Sequence, residues 1–155
     1  MVRLIEETDP TTIRQVIELV ALDWPEKPLP GWIDAPTMLA GQWVAAHGDF
    51  WHIWDGEDLA GYVAVLHRPP IADLHFGLLR RGPVNGRVIR YAWPVLELTY
   101  AARCVHLGLH TWAAWTSEER FDVQRVLRAL RFARECEHVW YRPIGGWADG
   151  SSGVD

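Results

Sequence analysis

The chain has 155 residues, 49% of them apolar and 23% charged, with a formal net charge of −5. That length is near the usual size of one domain and buries a sizeable core without disulfide staples. The acidic balance argues against a general nucleic-acid binder, which carries a basic face, and no stretch approaches the roughly 18 apolar residues of a membrane span. Ten tryptophans are the unusual feature of the composition. Most are expected in the core, with some left to line a cleft or an interface. Cys104 and Cys136 belong to no CxxC pair, so neither a zinc knuckle nor a redox motif is visible, and a reducing cytoplasm is the expected compartment. The segment 1–7 lacks the apolar run of a signal peptide.

Val2–Glu7 reads as a short strand. Asp9-Pro10-Thr11-Thr12 breaks it and can cap a helix, and Ile13, Val16, Ile17, Val20 and Leu22 follow at helical spacing. A helix is predicted over 12–22. Residues 24–31 hold Pro25, Pro28 and Pro30 and are expected to be irregular. A second helix is predicted from Pro36 to His47, stopped by Gly48. Residues 50–54 and 59–67 are rich in Val, Tyr, Trp and Phe, and Asp55-Gly56-Glu57-Asp58 between them is a hairpin turn. Residues 71–79 make a third apolar run, so the centre of the chain is a three-strand meander.

Arg80-Arg81-Gly82-Pro83-Val84-Asn85-Gly86-Arg87 interrupts the pattern. A helix is predicted from 84 to 106, about 35 Å long at helical rise. Pro94 is expected to kink it or split it, and Gly108 to end it. A strand over 109–115, a helix starting at Thr116-Ser117-Glu118-Glu119 and a strand over 138–144 complete the series. The predicted order is β-α-α-β-β-β-α-β-α-β, an α/β (α+β) mixed sheet that is antiparallel at the meander and parallel after it. Residues 1–144 read as a single domain. Residues 145–155, rich in Gly, Ser and Asp, read as a flexible tail.

This order resembles the GNAT acyltransferase superfamily, over about residues 2–144. Residues 49–66 are similar to its central hairpin, whose second strand opens with a small pair, here Ala60-Gly61, before Tyr62-Val63. Residues 71–87 are similar to its acetyl-CoA segment, a strand, an Arg-Gly turn and a helix. Residues 109–132 are similar to its next strand and helix, closing on Leu130-Arg131-Phe132 where the family has an "LGF" step. The family's phosphate motif, R/Q-x-x-G-x-G/A, aligns with Arg81-Gly82-Pro83-Val84-Asn85-Gly86, so its middle glycine is Val84 here. The family's asparagine near the start of the later helix falls near Arg120. Its tyrosine, commonly the general acid for the departing thiolate, falls at Leu127. GNAT-like proteins among the morphogenesis and internal virion proteins of short-tailed phages show similar erosion.

The loop has a physical case of its own. A turn entering a helix exposes backbone N–H groups, and the helix dipole adds positive charge there. Such a terminus suits a pyrophosphate, and CoA carries one. Gly82 and Gly86 allow close backbone approach. Arg80, Arg81, Arg87 and Arg90 can pair phosphate oxygens. The alternative is a solvated helix start with ordinary surface arginines. The resemblance further implies that the pantetheine arm pairs with the strand before the loop, at Phe76, Leu78 and Leu79, in a gap facing residues 109–113. With Asn85 and Gly86, these complete the expected acetyl-CoA site.

Acyl transfer needs a deprotonated amine, donors near the carbonyl oxygen and a route for the proton. Asp73 and His75 lie two apart on one strand and so share a face. Imidazole ordinarily titrates near ~6.5, which suits a base; a histidine satisfied within a core or interface is the other reading. His52 and Glu57, on the hairpin, are secondary candidates. Tyr141 is a spare hydroxyl, either a donor or a sheet residue with its tip in water. Trp24, Trp32 and Asp34 either accept the amine-bearing substrate or cover a sheet edge.

Seven histidines include no HxH or HxxxH pair aligned on a helix, and no G-x-S-x-G elbow occurs. Three functions follow. The first is an acetyl-CoA-dependent N-acyltransferase acting on a small-molecule or protein amine. The second is an eroded GNAT-like assembly protein, as in a phage particle, working as a homo-oligomer or with virion partners. The third is a phage DNA-base modifier on the same fold, which the net charge opposes. The expected location is cytoplasmic, or virion-associated under the second.

Overall fold

The computed structural model describes residues 1–23, 44–79, 85–115, 121–134 and 139–144. The elements run β1 (Val2–Glu7), α1 (Pro10–Asp23), β2 (Gly48–Asp55), β3 (Asp58–Arg68), β4 (Ile71–Leu78), α2 (Asn85–Leu107), β5 (Thr111–Trp115), α3 (Phe121–Ala129), β6 (Ala133–Arg134) and β7 (Val139–Pro143). Residues 44–47 are one further helical turn, ending where the second predicted helix ends; the rest of that helix lies outside the described residues. Among the described residues the strands form one mixed sheet in the order β1-β2-β3-β4-β5-β7-β6, flanked by helices. No helix there is long and apolar enough to cross a membrane. The chain groups into two compact units, Met1–Leu66 with His75–Val88, and His67–Leu74 with Ile89–Asp155.

In the first unit, β1, β2 and β3 are antiparallel neighbours. Alternation sends Phe50, Tyr62, Ala64 and Leu66 to one face, where they pack with Ile13, Val16, Ile17 and Val20 of α1. The i, i+3, i+4, i+7 spacing of those α1 residues is what selects the helix. Asp9 caps it: its Oδ2 accepts from the Thr12 amide at 3.2 Å and the Thr12 hydroxyl at 2.7 Å. Pro10 fits the first turn, where its missing N–H costs nothing. The β2–β3 hairpin turns on Gly56-Glu57, and Gly56 takes the positive φ of 64° that such turns demand.

A bulge interrupts that hairpin. Ile53 faces Gly61 while Trp54 faces Leu59, so Ala60 is the extra residue. The Ala60 carbonyl accepts from the Leu79 amide instead, at 2.9 Å. Gly61 has φ 152°, and a Cβ there would collide with the Gly77 carbonyl. A Cβ at Gly77 would in turn strike the Tyr62 ring. Two glycines thus let β3 and β4 approach beneath the Tyr62 ring, which stacks on Phe50 with centroids 5.0 Å apart.

In the second unit, β4 pairs in parallel with β5 from Ile71↔Thr111 to Leu74↔Ala114, and β5 pairs antiparallel with β7. The face bearing Trp112 also bears Trp140 and Arg142. Trp112 lies 5.3 Å from Trp93 of α2, edge to face, and 6.0 Å from Tyr100. Both α2 and α3 end on a paired carbonyl cap. The amides of Gly108 and Leu109 bond Val105 and Cys104, and those of Arg131 and Phe132 bond Arg128 and Leu127. The first cap uses Gly108 at φ 70°, the second Arg131 at φ 65°.

Four expectations are corrected. Of the two outcomes expected at Pro94, a kink or a split, the split does not occur, since α2 is continuous through it. Pro94 and Arg90, whose carbonyl loses its partner, are both exposed, so water can take the bond. The sheet is not parallel throughout its second half, because the β5–β7 pair is antiparallel. The unforeseen strand β6 adds one more reversal of chain direction. It is two exposed residues long and leaves no hydrophobic signal. Finally, residues 111–113 are paired with β4 rather than standing across a gap from it. Thr111, Trp112 and Ala113 pair with Ile71, Ala72 and Asp73, and the parallel register ends at Leu74↔Ala114.

Candidate active site

Of the expected cofactor residues that the structure describes, all but Arg90 fall in the first unit. Phe76 and Leu78 are half-buried on β4, past its last register pair with β5. Leu79 is buried with Phe50 and Tyr62, so its side chain belongs to the core. Arg80, Arg81, Gly82 and Val84 lie outside the described residues. Asn85 opens α2, Gly86 is half-buried in the first turn, and Arg90 is exposed. Arg87 is exposed and engaged, its guanidinium 3.1 Å from the Asp55 carboxylate at the hairpin.

The candidate acid–base groups divide between the units. Asp73 is buried on β4 in the second unit, its Oδ2 3.6 Å from Arg68 Nε. Tyr141 is half-buried on β7. The register joins them: Asp73 faces Ala113, and Ala113 faces Tyr141. Lateral neighbours in a pleated sheet project to one face, so Asp73 and Tyr141 stand on the same side with only an alanine between. Strand spacing puts their Cα atoms roughly 10 Å apart. Continuing the row, Ala133 faces Tyr141 from β6 and is exposed, which leaves the tyrosine two small neighbours.

His75 is half-buried on β4, within the first unit. His52 Nε2 lies 3.6 Å from Glu7 Oε1 and its ring meets Phe50 edge-on at 6.0 Å. Glu57 is at the exposed hairpin tip. Leu127 is buried in α3. Tyr62 is buried in the core, and burial raises its phenol above the ordinary value of 10.0. Trp24, Trp32 and Asp34 lie outside the described residues. Among the described residues no group of three His, Cys, Asp or Glu is placed to hold a metal. A cavity of about 70 Å³ in the first unit is lined by Glu7, Asp49 and Phe50 among others and contains none of the expected site residues.

Two pairings escaped the sequence reading. Arg142 Nη1 lies 2.8 Å from Glu97 Oε2, and the guanidinium sits 5.2 Å from the Trp93 ring centroid. His67 Nε2 and the Tyr100 hydroxyl are 2.6 Å apart. The signal for the first was present: Glu97 falls on the same helical arc as Trp93, Leu96, Tyr100 and Cys104, where an acid needs a partner.

No protein-family model and no curated protein matches the sequence. Solved structures do. The acetyltransferase from Salmonella typhimurium that modifies the N-terminal serine of a 50S ribosomal subunit protein superposes with a TM-score of 0.69 at 14% identity, over 92% of this chain and 95% of that one. The spermidine/spermine N-acetyltransferase SpeG from Vibrio cholerae gives 0.67 at 11% identity, over 97% and 99%. A GNAT-family acetyltransferase from Staphylococcus aureus gives 0.66 at 13% identity, over 93% and 99%. The agreement extends over almost the whole length of each chain, through the meander, the long helix and the closing strands, and this protein has the fold of the GNAT acetyltransferases.

Proposed function

We propose that this protein is an N-acyltransferase that moves an acetyl group from acetyl-CoA to an amine. The observation that carries the reading is the run of β4 past its register with β5: pairing stops at Leu74↔Ala114, the strand continues to Leu78, and α2 begins at Asn85. A strand followed by an arginine-rich segment and a helix N-terminus suits a diphosphate. The residue types suit the group. Phe76 and Leu78 would lie along the pantetheine arm, and Arg80, Arg81, Gly82, Asn85 and Gly86 would hold the phosphates. Arg87 is partly committed to Asp55. Acetyl-CoA supplies an activated thioester; positioning it against the amine supplies much of the rate.

The chain's own groups handle the protons. Asp73 or His75 takes the proton from the incoming ammonium, and the Tyr141 hydroxyl gives one to the departing thiolate. Trp24, Trp32 and Asp34 would receive the acceptor, by aromatic contact and charge. The structural neighbours act on a protein N-terminus and on a polyamine, so both acceptor classes belong in the assay. Calorimetric titration with acetyl-CoA and CoA tests the reading. Saturable binding, weakened about tenfold by Arg81→Ala, supports it; no binding at millimolar cofactor overturns it.

The second reading, an assembly protein that has lost catalysis, draws on Leu127. The side chain at the family's general-acid position is buried in the helix packing. A stable monomer that turns over acetyl-CoA would exclude this reading.

A further inference from the structure

Residues 123–134 hold Arg125, Arg128, Arg131 and Arg134 and no Asp or Glu, in a chain whose net charge is −5. All four arginines are exposed. The fold gathers them. Arg125 and Arg128 are three apart on α3, neighbours on its surface about 60° apart in arc. Arg131 follows at the cap, its amide bonded to the Arg128 carbonyl at 2.9 Å. The Arg128 guanidinium lies 5.4 Å from the Trp140 ring centroid. Arg134 of β6 is the register partner of Trp140, so it adjoins the same indole from the strand side.

Helix stability accounts for part of this charge. Arg128, in the last turn of α3, and Arg131 just beyond it complement the helix dipole. Arg125 stands before the last turn and Arg134 on a strand, where that effect has faded. Among the described residues, Arg125, Arg128 and Arg131 enter no ion pair. Stacking on Trp140 occupies the face of the Arg128 guanidinium and leaves its N–H edge to donate.

A guanidinium fork fits carboxylate or phosphate. The surroundings favour carboxylates. The rings beside the patch, Phe132 and Trp140, are 4% and 2% exposed, so neither offers a face to a nucleobase. Arg125 to Arg131 covers about 9 Å at helical rise, a footprint for a short segment. The acidic remainder of the chain repels a long polyanion more than a short one. Trp140 and Tyr141 point to opposite faces of the sheet, so the patch lies away from the row Asp73–Ala113–Tyr141. The inference therefore stands apart from acyl transfer.

We propose that Arg125, Arg128, Arg131 and Arg134 form a docking surface for a short acidic segment of a partner protein. Fluorescence anisotropy on the full chain tests this with labelled peptides, one alternating Glu and Ser, the other Gln and Ser. The Glu peptide is expected to bind at least about tenfold tighter, and less tightly as salt is raised. Arg125→Gln with Arg128→Gln removes charge while keeping helix propensity, and should weaken the Glu peptide by at least about tenfold. Arg3→Gln on β1 should leave its affinity unchanged. Circular dichroism and melting confirm that each variant folds. Equal affinity for the two peptides, indifference to the double change, or an equal loss in Arg3→Gln overturns the proposal. So does tighter binding of a single-stranded oligothymidylate of the same length.

Discussion

Arg142 on β7 and Glu97 on α2 form a buried ion pair at 2.8 Å, each side chain only 7% exposed. The residues are 45 apart in sequence, and the Trp93 ring covers the guanidinium. Removing one partner strands a buried charge, so Glu97→Ala and Arg142→Ala should each cost about 3–5 kcal/mol in urea denaturation. The double replacement Glu97→Leu with Arg142→Met should cost clearly less than the sum of the single changes, because no charge is left unpaired.

Gly77→Ala drives a methyl group into the Tyr62 ring, which is pinned against Phe50. A loss of about 1–3 kcal/mol is expected. Adding Tyr62→Leu should recover part of it, a coupling that a double-mutant cycle measures.

Arg131 holds a backbone conformation that costs a side chain about 1 kcal/mol and a glycine almost nothing. Arg131→Gly should raise stability by about that amount, seen as a rise in Tm. Gly108→Ala, at the matching cap of α2, should lower it by about the same amount.

Asp9 has its carboxyl held below the ordinary 3.8, first by the Thr12 hydroxyl and then by the Thr12 amide. A lowered folded-state pKa means the cap's contribution is present above the unfolded carboxyl pKa. It is lost as pH falls through the lower, folded value. An NMR titration should place the Asp9 midpoint below 3.8 in the folded protein, and Thr12→Ala should move it up.

Tyr141→Phe and Asp73→Asn should each lower the rate of CoA release with an amine acceptor by about 10²-fold or more, with KM for acetyl-CoA little changed. Full activity in Tyr141→Phe would remove the tyrosine from the proton route.

Much of the fold is local and therefore legible in the residues. The Asp55-Gly56-Glu57-Asp58 turn and the Gly108 stop each act within a few positions and appear where they were expected, while α1 begins at Pro10, two residues before its predicted start. The element order follows from periodicity, and the order points to the family of folds. The misses are non-local or too short to register. Strand β6 has two exposed residues. The direction of β7 depends on that extra crossing. Where the β4–β5 register ends depends on lateral alignment, which no sequence period reports.

By itself, the sequence determined most of the elements, the order of those, and the types of residue available for acid–base work, because hydrophobic period and turn chemistry operate over short distances. Tertiary structure alone decided which of them meet. The close passage of Gly61 by Gly77, the Glu97–Arg142 pair and the row Asp73–Ala113–Tyr141 each join distant parts of the chain. Such contacts form only once sheet register is set, and register is a collective property of several strands rather than of any one segment.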